Sequence, residues 1–283
     1  MTYQAFWQSL QQVYDEGEAK AVARYALESL FGLSMTDIVC GAVEQLPPHD
    51  EQRLLAVRQR LTKGEPVQYV VGTVRFGSLN FKVAPGVLIP RPETYELCQW
   101  VMADWTEVGQ QRETCSLLDI GTGSGCIACT LAGSFPKARV TAWDISADAL
   151  RIAQQNAESN QVGVNFQLQD VLQAVPPSAP QWDVIVSNPP YICQKEAASM
   201  ESNVLAYEPH EALFVPDDNP LLFYCAIATY ACSALKAGGR LYFELNPLYA
   251  EDCRRMLELQ GFCHLTLRQD EFGKQRFIKA IKE

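Results

Sequence analysis

The sequence predicts an α/β fold, with helices covering a mostly parallel sheet and a small helical domain ahead of it. From about residue 113, five apolar segments of strand character alternate with helical segments. Such alternation is typical of parallel strands with helices on both faces. Two further strand segments, 262–269 and 275–282, follow one another with only a short turn between them, and they predict a terminal antiparallel pair. Together these segments predict a Rossmann-like sheet of seven strands.

The apolar periodicity assigns each element in turn. The five alternating strands are predicted at 116–121, 138–145, 165–170, 182–187 and 240–245, with helices near 124–134, 147–159, 220–236 and 249–260. Before them, residues 1–72 carry apolar residues every three or four positions, as a helical bundle does. Ser34 and Asp37 have the spacing of a capping box that opens a helix. Residues 73–90 alternate between apolar and polar side chains, which predicts a connecting β-hairpin. We therefore expect a helical domain at 1–72, the hairpin at 73–90 and the sheet domain at 91–283.

Composition limits the classes of protein that fit this chain. Its 283 residues are 48% hydrophobic and 20% charged, the make-up of a globular protein with a sizeable core. It has no apolar run of the roughly 18–20 residues that span a bilayer, and the first residues lack the basic head and apolar stretch of a signal peptide. We expect a cytoplasmic protein, and a monomer.

The net charge indicates which partners to expect, and the cysteine content indicates whether to expect disulfides or a metal site. The formal net charge is -10 and the sequence pI about 4.9, which weighs against a nucleic acid partner because phosphate backbones are usually gripped by a basic face. The ten cysteines are scattered, and the three histidines lie far apart. Cys126 and Cys129 form a lone C-x-x-C, which we interpret as small buried residues on a helix. We expect reduced thiols and no metal site.

A glycine-rich loop follows the first strand of the sheet domain. Glycines allow a tight turn and close approach to a ligand, and the helix that follows offers unpaired N–H groups. The second strand ends in Asp144, where a carboxylate can accept hydrogen bonds from both hydroxyls of a ribose. The candidate cofactor residues in the loop are Asp119, Gly121, Thr122, Gly123, Ser124 and Gly125.

The spacing inside the loop separates two kinds of nucleotide cofactor. It is G-x-G-x-G with Asp119 two residues ahead, and not the G-x-G-x-x-G of dinucleotide folds. An acidic residue beside the loop would repel a pyrophosphate but suits a cationic methionine moiety, so S-adenosylmethionine is the predicted cofactor. We expect Asp170 at the end of the third strand to meet the adenine amino group, and we add Val171 and Arg91 to the candidate cofactor residues.

The fourth strand ends in Asn188-Pro189-Pro190-Tyr191. The position places Asn188 at the carboxyl edge of the sheet, beside the cofactor crevice. The two prolines make the loop stiff. It can therefore present the Asn188 side-chain oxygen and the Pro189 carbonyl as fixed acceptors for a planar NH2 group. Tyr191 can stack on that group and stabilise nearby positive charge. Asn188, Pro189 and Tyr191 are the predicted catalytic residues, and these three with Pro190 are the predicted substrate-binding residues.

The motif resembles that of amino-methyltransferases, which include DNA adenine and cytosine methyltransferases and protein glutamine methyltransferases. The whole chain is similar to the release-factor glutamine methyltransferases, the HemK/PrmC family. The residues that carry this resemblance are Gly64-Glu65-Pro66, Tyr69, Gly72, Phe76, Phe81, Val83, Leu88 to Thr94, and Asn188 to Tyr191. Pro90-Arg91-Pro92-Glu93-Thr94 is the most specific part, because the sister family that acts on a ribosomal protein is less like this chain there.

The resemblance implies a methyl transfer from S-adenosylmethionine to the side-chain amide of the glutamine in the Gly-Gly-Gln motif of peptide chain release factors. It also implies that the helical domain recognises the substrate. One position departs from the family: Tyr95 stands where a glutamate is usual, and Glu96 follows it. We therefore carry no role over to Glu96. The alternatives are an amino-group (adenine) DNA methyltransferase, a glutamine methyltransferase of a ribosomal protein, and a cofactor-binding module without catalysis.

Overall fold

A computed structural model of the protein describes residues 1–109 and 115–283. These residues pack as two compact units. The first unit contains residues 1–74, 83–85 and 200–207, and the second contains 75–82, 86–199 and 208–283. Packing therefore does not follow chain order, because the downstream segment 200–207 belongs to the first unit. The boundaries predicted after residues 72 and 90 stay a prediction about the domains.

The described helices and strands are numbered here in chain order. Helices α1 to α11 span Tyr3–Leu10, Glu16–Phe31, Met35–Val39, Pro48–Leu61, Val67–Val71, Pro92–Gly109, Cys126–Ser134, Ala147–Ser159, Ser202–Tyr207, Leu222–Ala234 and Ala250–Leu259. Strands β1 to β11 span Thr73–Phe76, Leu79–Lys82, Ser116–Ile120, Arg139–Asp144, Asn165–Leu168, Trp182–Ser187, Ile192–Cys193, Phe214–Val215, Leu235–Glu244, Phe262–Gln269 and Gln275–Lys282.

The first unit is built around helices α1 to α5. Their apolar stripes meet in one core that includes Phe6, Leu27 and Leu54. The predicted capping box is confirmed, because Ser34 Oγ accepts from the Asp37 backbone N–H while the Asp37 carboxylate accepts from that of Ser34. These bonds satisfy two donors that the start of α3 would otherwise leave unpaired.

The second unit contains the main sheet. Within the described residues this sheet has seven strands in the order β10-β11-β9-β6-β3-β4-β5. Strands β5, β4, β3, β6 and β9 are parallel, and β11 and β10 run antiparallel at one edge. The predicted fold class is confirmed. The insertion of β11 between β9 and β10 could not be foreseen, because strand order depends on contacts between segments far apart in the chain.

Side-chain alternation along β3 explains why both faces of the sheet are covered. Leu118 and Ile120 lie in the core cluster that holds α10 and α11. Asp119, between them, points to the other face, where it contacts α7. The strand order reverses at β3, whose neighbours are β4 and β6, and such a point opens a crevice at the carboxyl ends of the strands.

None of the helices in the described ranges is long and apolar enough to cross a bilayer. All ten cysteines are free thiols, and Cys126 and Cys129 are buried in α7.

Candidate active site

A cavity of about 220 Å³ opens at the carboxyl ends of β3, β4 and β6. The predicted site residues that line it are Gly121, Gly123, Asp144, Asp170, Val171, Asn188, Pro189 and Pro190. The predicted residues that do not lie on its wall are Asp119, Thr122, Ser124, Gly125, Arg91 and Tyr191. The structure thus brings two glycines of the loop, the Asp144 and Asp170 carboxylates and the Asn-Pro-Pro segment to one cavity.

The glycine loop owes its course to backbone conformations that other residues rarely adopt. Gly121, Gly123 and Gly125 have φ values of 73°, 53° and 81°. At Gly121 and Gly123 a Cβ would meet open space, so these positions face the cavity with bare backbone. At Gly125 a Cβ would lie 3.0 Å from that of Ala153, so this glycine lets α7 approach α8 closely. The loop therefore has two glycines for the ligand and one for packing.

Asp119 lies fully buried beneath the loop. Its Oδ2 accepts from Thr122 Oγ1 at 2.6 Å and from the Ala128 backbone N–H at 3.1 Å. Its Oδ1 is buried without a hydrogen-bond partner among the described residues. Burial raises the pKa of Asp119 to about 7, although both accepted bonds oppose the rise. Asp119 thus fixes the loop and keeps one buried oxygen without a hydrogen-bond partner.

Asp144 ends β4 as predicted, whereas β5 ends at Leu168, so the prediction that Asp170 ends this strand is wrong; Asp170 lies two residues beyond it, where it caps a short 3-10 turn. Each of the two carboxylates accepts a backbone N–H bond. Asp144 Oδ2 accepts from the Gly123 N–H at 2.8 Å and Oδ1 from the Ser146 N–H at 2.9 Å. Burial raises the pKa of Asp144, against these two bonds. Asp170 Oδ1 accepts from the Leu172 N–H at 2.8 Å. These N–H bonds fix both carboxylates in place before a ligand binds. Each oxygen keeps a second lone pair that can accept a hydrogen bond from the ligand.

The charge of the cavity wall is negative. Glu211, which sequence reasoning missed, joins Asp144 and Asp170 there. No Lys, Arg or His lines the wall within the described ranges of the chain. Val87, Phe223 and other apolar side chains complete it. Such a wall would repel a pyrophosphate, and it suits a ligand with positive charge, ribose hydroxyls and a flat apolar ring.

The Asn-Pro-Pro segment follows β6 into the cavity. Ser187 Oγ donates to the Ile120 carbonyl at 2.6 Å and ties the end of β6 to that of β3. Asn188, Pro189 and Pro190 then line the wall. Tyr191 instead turns away: its ring packs against the core cluster, and its hydroxyl donates to Glu244 Oε1 at 3.0 Å. Burial, and next the charge of Glu244, raise the pKa of Tyr191 well above its usual value, so it keeps its proton.

Arg91 does not line the cavity, and its guanidinium is paired with a buried glutamate. Its guanidinium donates to Glu208 Oε1, and Glu208 Oε2 accepts from the Ile89 backbone N–H at 3.1 Å. Glu208 is 4% exposed, whereas the Arg91 side chain is 34% exposed, so only the carboxylate end of this ion pair is shielded from water. It joins segment 86–91 to the segment that carries Glu211. Glu208 carried no signal in the sequence, because nothing distinguishes it from a surface glutamate.

Two further residues that sequence reasoning missed stand behind Asn188. Asn188 Nδ2 donates to Thr94 Oγ1 at 3.1 Å, and Thr94 Oγ1 donates to Glu244 Oε2 at 2.7 Å. Thr94 is 3% exposed and Glu244 2%. Burial raises the pKa of Glu244, while the bonds from Thr94 and Tyr191 and the charge of Arg276 oppose the rise. A signal was available, since Glu244 is an acidic residue at the end of an apolar strand.

Tyr95, which stands where a glutamate is usual in the family, has a packing role. Its ring meets that of Phe76 edge to face, with centroids 5.3 Å apart, and fills the space above Gly77. Glu96 lies elsewhere, with Oε1 3.5 Å from the Glu271 backbone nitrogen. Tyr95 therefore contacts the β-hairpin, and neither residue reaches the cavity wall.

Known protein families match two parts of this chain. Two family models match, the PrmC N-terminal domain over residues 3–72 and the Methyltransferase small domain over residues 107–212. A release factor glutamine methyltransferase of Bacteroides thetaiotaomicron is 44% identical over 273 residues, which cover 96% of each chain. The chain belongs to the release factor glutamine methyltransferase family. A second relative of that name, from Flavobacterium psychrophilum, is 39% identical and covers 97% of this chain and 96% of its own.

Solved structures of two methyltransferases share this fold. The 16S rRNA N2 G1207 methyltransferase of Thermus thermophilus, in complex with AdoMet and guanosine, has a TM-score of 0.53 at 20% identity, covering 75% of this chain and 50% of its own. A methyltransferase from Pyrococcus furiosus has a TM-score of 0.51 at 17% identity, covering 83% of this chain and 98% of its own. At these identities the likeness concerns the fold alone.

Proposed function

We propose that this protein transfers a methyl group from S-adenosylmethionine to the side-chain amide nitrogen of the glutamine in the Gly-Gly-Gln motif of peptide chain release factors. The observation that carries the proposal is the position of Asn188 and Pro189, which line the acidic cavity of a chain that belongs to this family. The relatives' name supplies the class of substrate, and the cavity supplies a chemistry that fits it.

The residues present fit the cofactor. The Asp144 carboxylate suits the two ribose hydroxyls, and Asp170 suits the adenine amino group. Gly121 and Gly123 give the methionine moiety bare backbone, while the unpaired Oδ1 of buried Asp119 provides negative charge below it. When bound, S-adenosylmethionine supplies an electrophilic methyl group on a positively charged sulfur.

The chain's own contribution is to hold the amide nitrogen of the substrate. An amide nitrogen is a poor nucleophile, because its lone pair is delocalised into the carbonyl. Asn188 Oδ1 and the Pro189 carbonyl can accept its two N–H bonds, which fixes the direction of the nitrogen and stabilises positive charge that develops on it. Both acceptors are fixed by the stiff loop, so little reorganisation is needed at the moment of reaction.

The proposal also covers the class of substrate and the location of the protein in the cell. We propose a protein substrate and no nucleic acid, because the net charge of -10 and the carboxylates around the cavity disfavour phosphate groups. We also propose that the protein acts as a monomer in the cytoplasm, where release factors work. The helical domain is the proposed recognition element.

Mass spectrometry of a release factor incubated with the protein and S-adenosylmethionine tests the function. We expect one added methyl group on the glutamine of Gly-Gly-Gln, and none on a release factor in which that glutamine is replaced by glutamate. Duplex DNA and a ribosomal protein mixture serve as competing substrates in parallel reactions. Methylation of either of these without methylation of the release factor would refute the proposal.

A further inference from the structure

Asn188 raises a question of orientation. The oxygen and the NH2 group of an asparagine side chain are alike in shape, so the loop alone does not decide which of them faces the cavity. The proposed function requires the oxygen there, because the substrate amide brings two N–H donors. If the Asn188 amide were rotated by 180° about its Cβ–Cγ bond, its NH2 group would face the N–H donors of the substrate, and no hydrogen bond could form.

The hydrogen-bond chain behind Asn188 has a direction. Both Glu244 oxygens meet hydroxyl groups, Oε2 that of Thr94 and Oε1 that of Tyr191. An ionised carboxylate only accepts, so Thr94 spends its single proton on Glu244. The Thr94 oxygen then has only lone pairs left, and it can bind the Asn188 NH2 group but not the Asn188 oxygen.

Several contacts favour the ionised form of Glu244 although the residue is buried. Two donated hydrogen bonds stabilise the ionised form. The Arg276 guanidinium adds a favourable charge, and it is itself held by Asp270 Oδ2 at 3.2 Å in the β10–β11 hairpin. In the part of the chain that the structure describes, the Asn188 oxygen has no hydrogen-bond partner, and it is left for a ligand.

We propose that Thr94 and Glu244 are positioning residues that set the orientation of the Asn188 amide, so that its oxygen and not its NH2 group faces the substrate. This inference rests on the proposed function, and neither residue touches the reacting atoms. By this inference, the threonine of the Pro-Arg-Pro-Glu-Thr stretch orients an asparagine that lies 94 positions downstream.

The test uses three variants of the full chain and measures kcat and KM with a whole release factor. In Thr94→Val the productive orientation would leave the Asn188 NH2 group against a methyl group, at the cost of an unpaired donor. We expect kcat to fall about tenfold with the S-adenosylmethionine affinity unchanged. Thr94→Ser keeps the hydroxyl and should restore most of the rate. Glu244→Gln, which can donate to Thr94 and reverse the chain, should lower kcat similarly.

The matched control is Thr130→Val. Thr130 is also buried, in α7, and its hydroxyl has no hydrogen-bond partner among the described residues. It should leave kcat and KM unchanged. Because Thr94 and Glu244 act on one path, the double variant Thr94→Val/Glu244→Gln should lose no more than the worse single variant. If Thr94→Val and Glu244→Gln fold normally and keep kcat within about twofold, the inference is overturned while the proposed function stands.

A second measurement separates this inference from the function. With ¹⁵N-labelled asparagine, the side-chain NH2 signal of Asn188 is assigned by its loss in Asn188→Ala. We expect that signal to shift in Thr94→Val and in Glu244→Gln, and to stay in place in Thr130→Val. This outcome supports the orientation even if no release factor is methylated, in which case only the proposed function fails. An unchanged signal in both Thr94→Val and Glu244→Gln would overturn the inference in either case.

Discussion

Asp119 is the residue in which burial and function oppose one another most directly. A buried carboxylate with one unpaired oxygen is destabilised in its charged form, and its pKa of about 7 reflects this cost. A cationic ligand above it would remove that cost. We therefore expect Asp119 to destabilise the ligand-free fold and to strengthen the binding of a cationic ligand.

The first prediction concerns pH and Asp119. Its pKa rises from 3.8 in the unfolded chain to about 7 in the folded one, so the unfolded chain releases this proton first. Its contribution to the free energy of unfolding should fall as pH rises from about 4 to 7. S-adenosylmethionine favours the charged form, so its affinity should rise over the upper part of that range, with proton release on binding. Calorimetry in two buffers of different ionisation enthalpy measures the release, which Asp119→Asn should reduce.

The second prediction concerns Asp144. Asp144→Ala removes the predicted acceptor for the ribose and also frees the Gly123 and Ser146 N–H groups that it now holds. A hydrogen bond to a charged group contributes roughly 1.5–3 kcal/mol, so the dissociation constant of S-adenosylmethionine should rise at least about tenfold. The matched control is Asp148→Ala, an exposed carboxylate in the first turn of α8. Equal affinities in the two variants would contradict the ribose assignment.

At the scale of elements, the sequence predicted most of the scaffold and about half of the site. Strand β6 and helix α8 have the bounds that their apolar patterns predict, because local periodicity is enough for regular elements. The acceptors at strand ends were found because the carboxyl edge of a parallel sheet collects them. The contact between Thr94 and Glu244 was missed, since it joins residues 150 positions apart, and the local signal for Glu244, an acidic residue at the end of an apolar strand, does not indicate its partner.

A buried amide of α8, that of Asn156, binds the backbone of the β1–β2 hairpin. Asn156 in α8 donates from Nδ2 to the Lys82 carbonyl at 3.0 Å and to the Ser124 carbonyl at 2.9 Å. Its Oδ1 accepts from the Lys82 N–H at 2.6 Å. One side chain thus connects strand β2 to the glycine loop, and it is only 1% exposed.

The third prediction follows from this connection. Asn156→Ala would leave the three backbone groups without their partner, and each unpaired buried group costs about 1–3 kcal/mol. We expect the free energy of unfolding to fall by roughly 2–4 kcal/mol, since water can reach some of these groups in the variant. Urea unfolding followed by circular dichroism measures the change. Gln154→Ala, on the exposed side of the same helix, should change it little.

At the scale of the whole molecule, the charge distribution bears on how a large substrate is recognised. A glutamine at a loop tip offers few atoms, so contacts far from the methyl group must supply much of the binding energy. Residues 1–72 carry six basic and nine acidic residues, and four of the basic ones lie between 53 and 63. Arg60 is occupied by Glu65 and by two backbone carbonyls, whereas Lys63 has an exposed side chain. Surface substitutions test this segment better than deletion, because residues 200–207 pack in the same unit and would lose their partners.

The fourth prediction uses Arg53→Gln/Lys63→Gln, which removes two exposed charges and leaves Arg60 in place. Exposed charge pairs contribute about 0.2–1 kcal/mol each, so the loss of two should raise the KM for a whole release factor about two- to thirtyfold, with kcat unchanged. The KM for a short Gly-Gly-Gln peptide should stay the same, since the peptide lacks the parts of the release factor that would contact this segment. Added salt should shrink the difference between wild type and variant. Arg24→Gln, elsewhere on the same unit, is the control; an equal rise for peptide and whole factor would mean that the charges act on the active site and not on recognition.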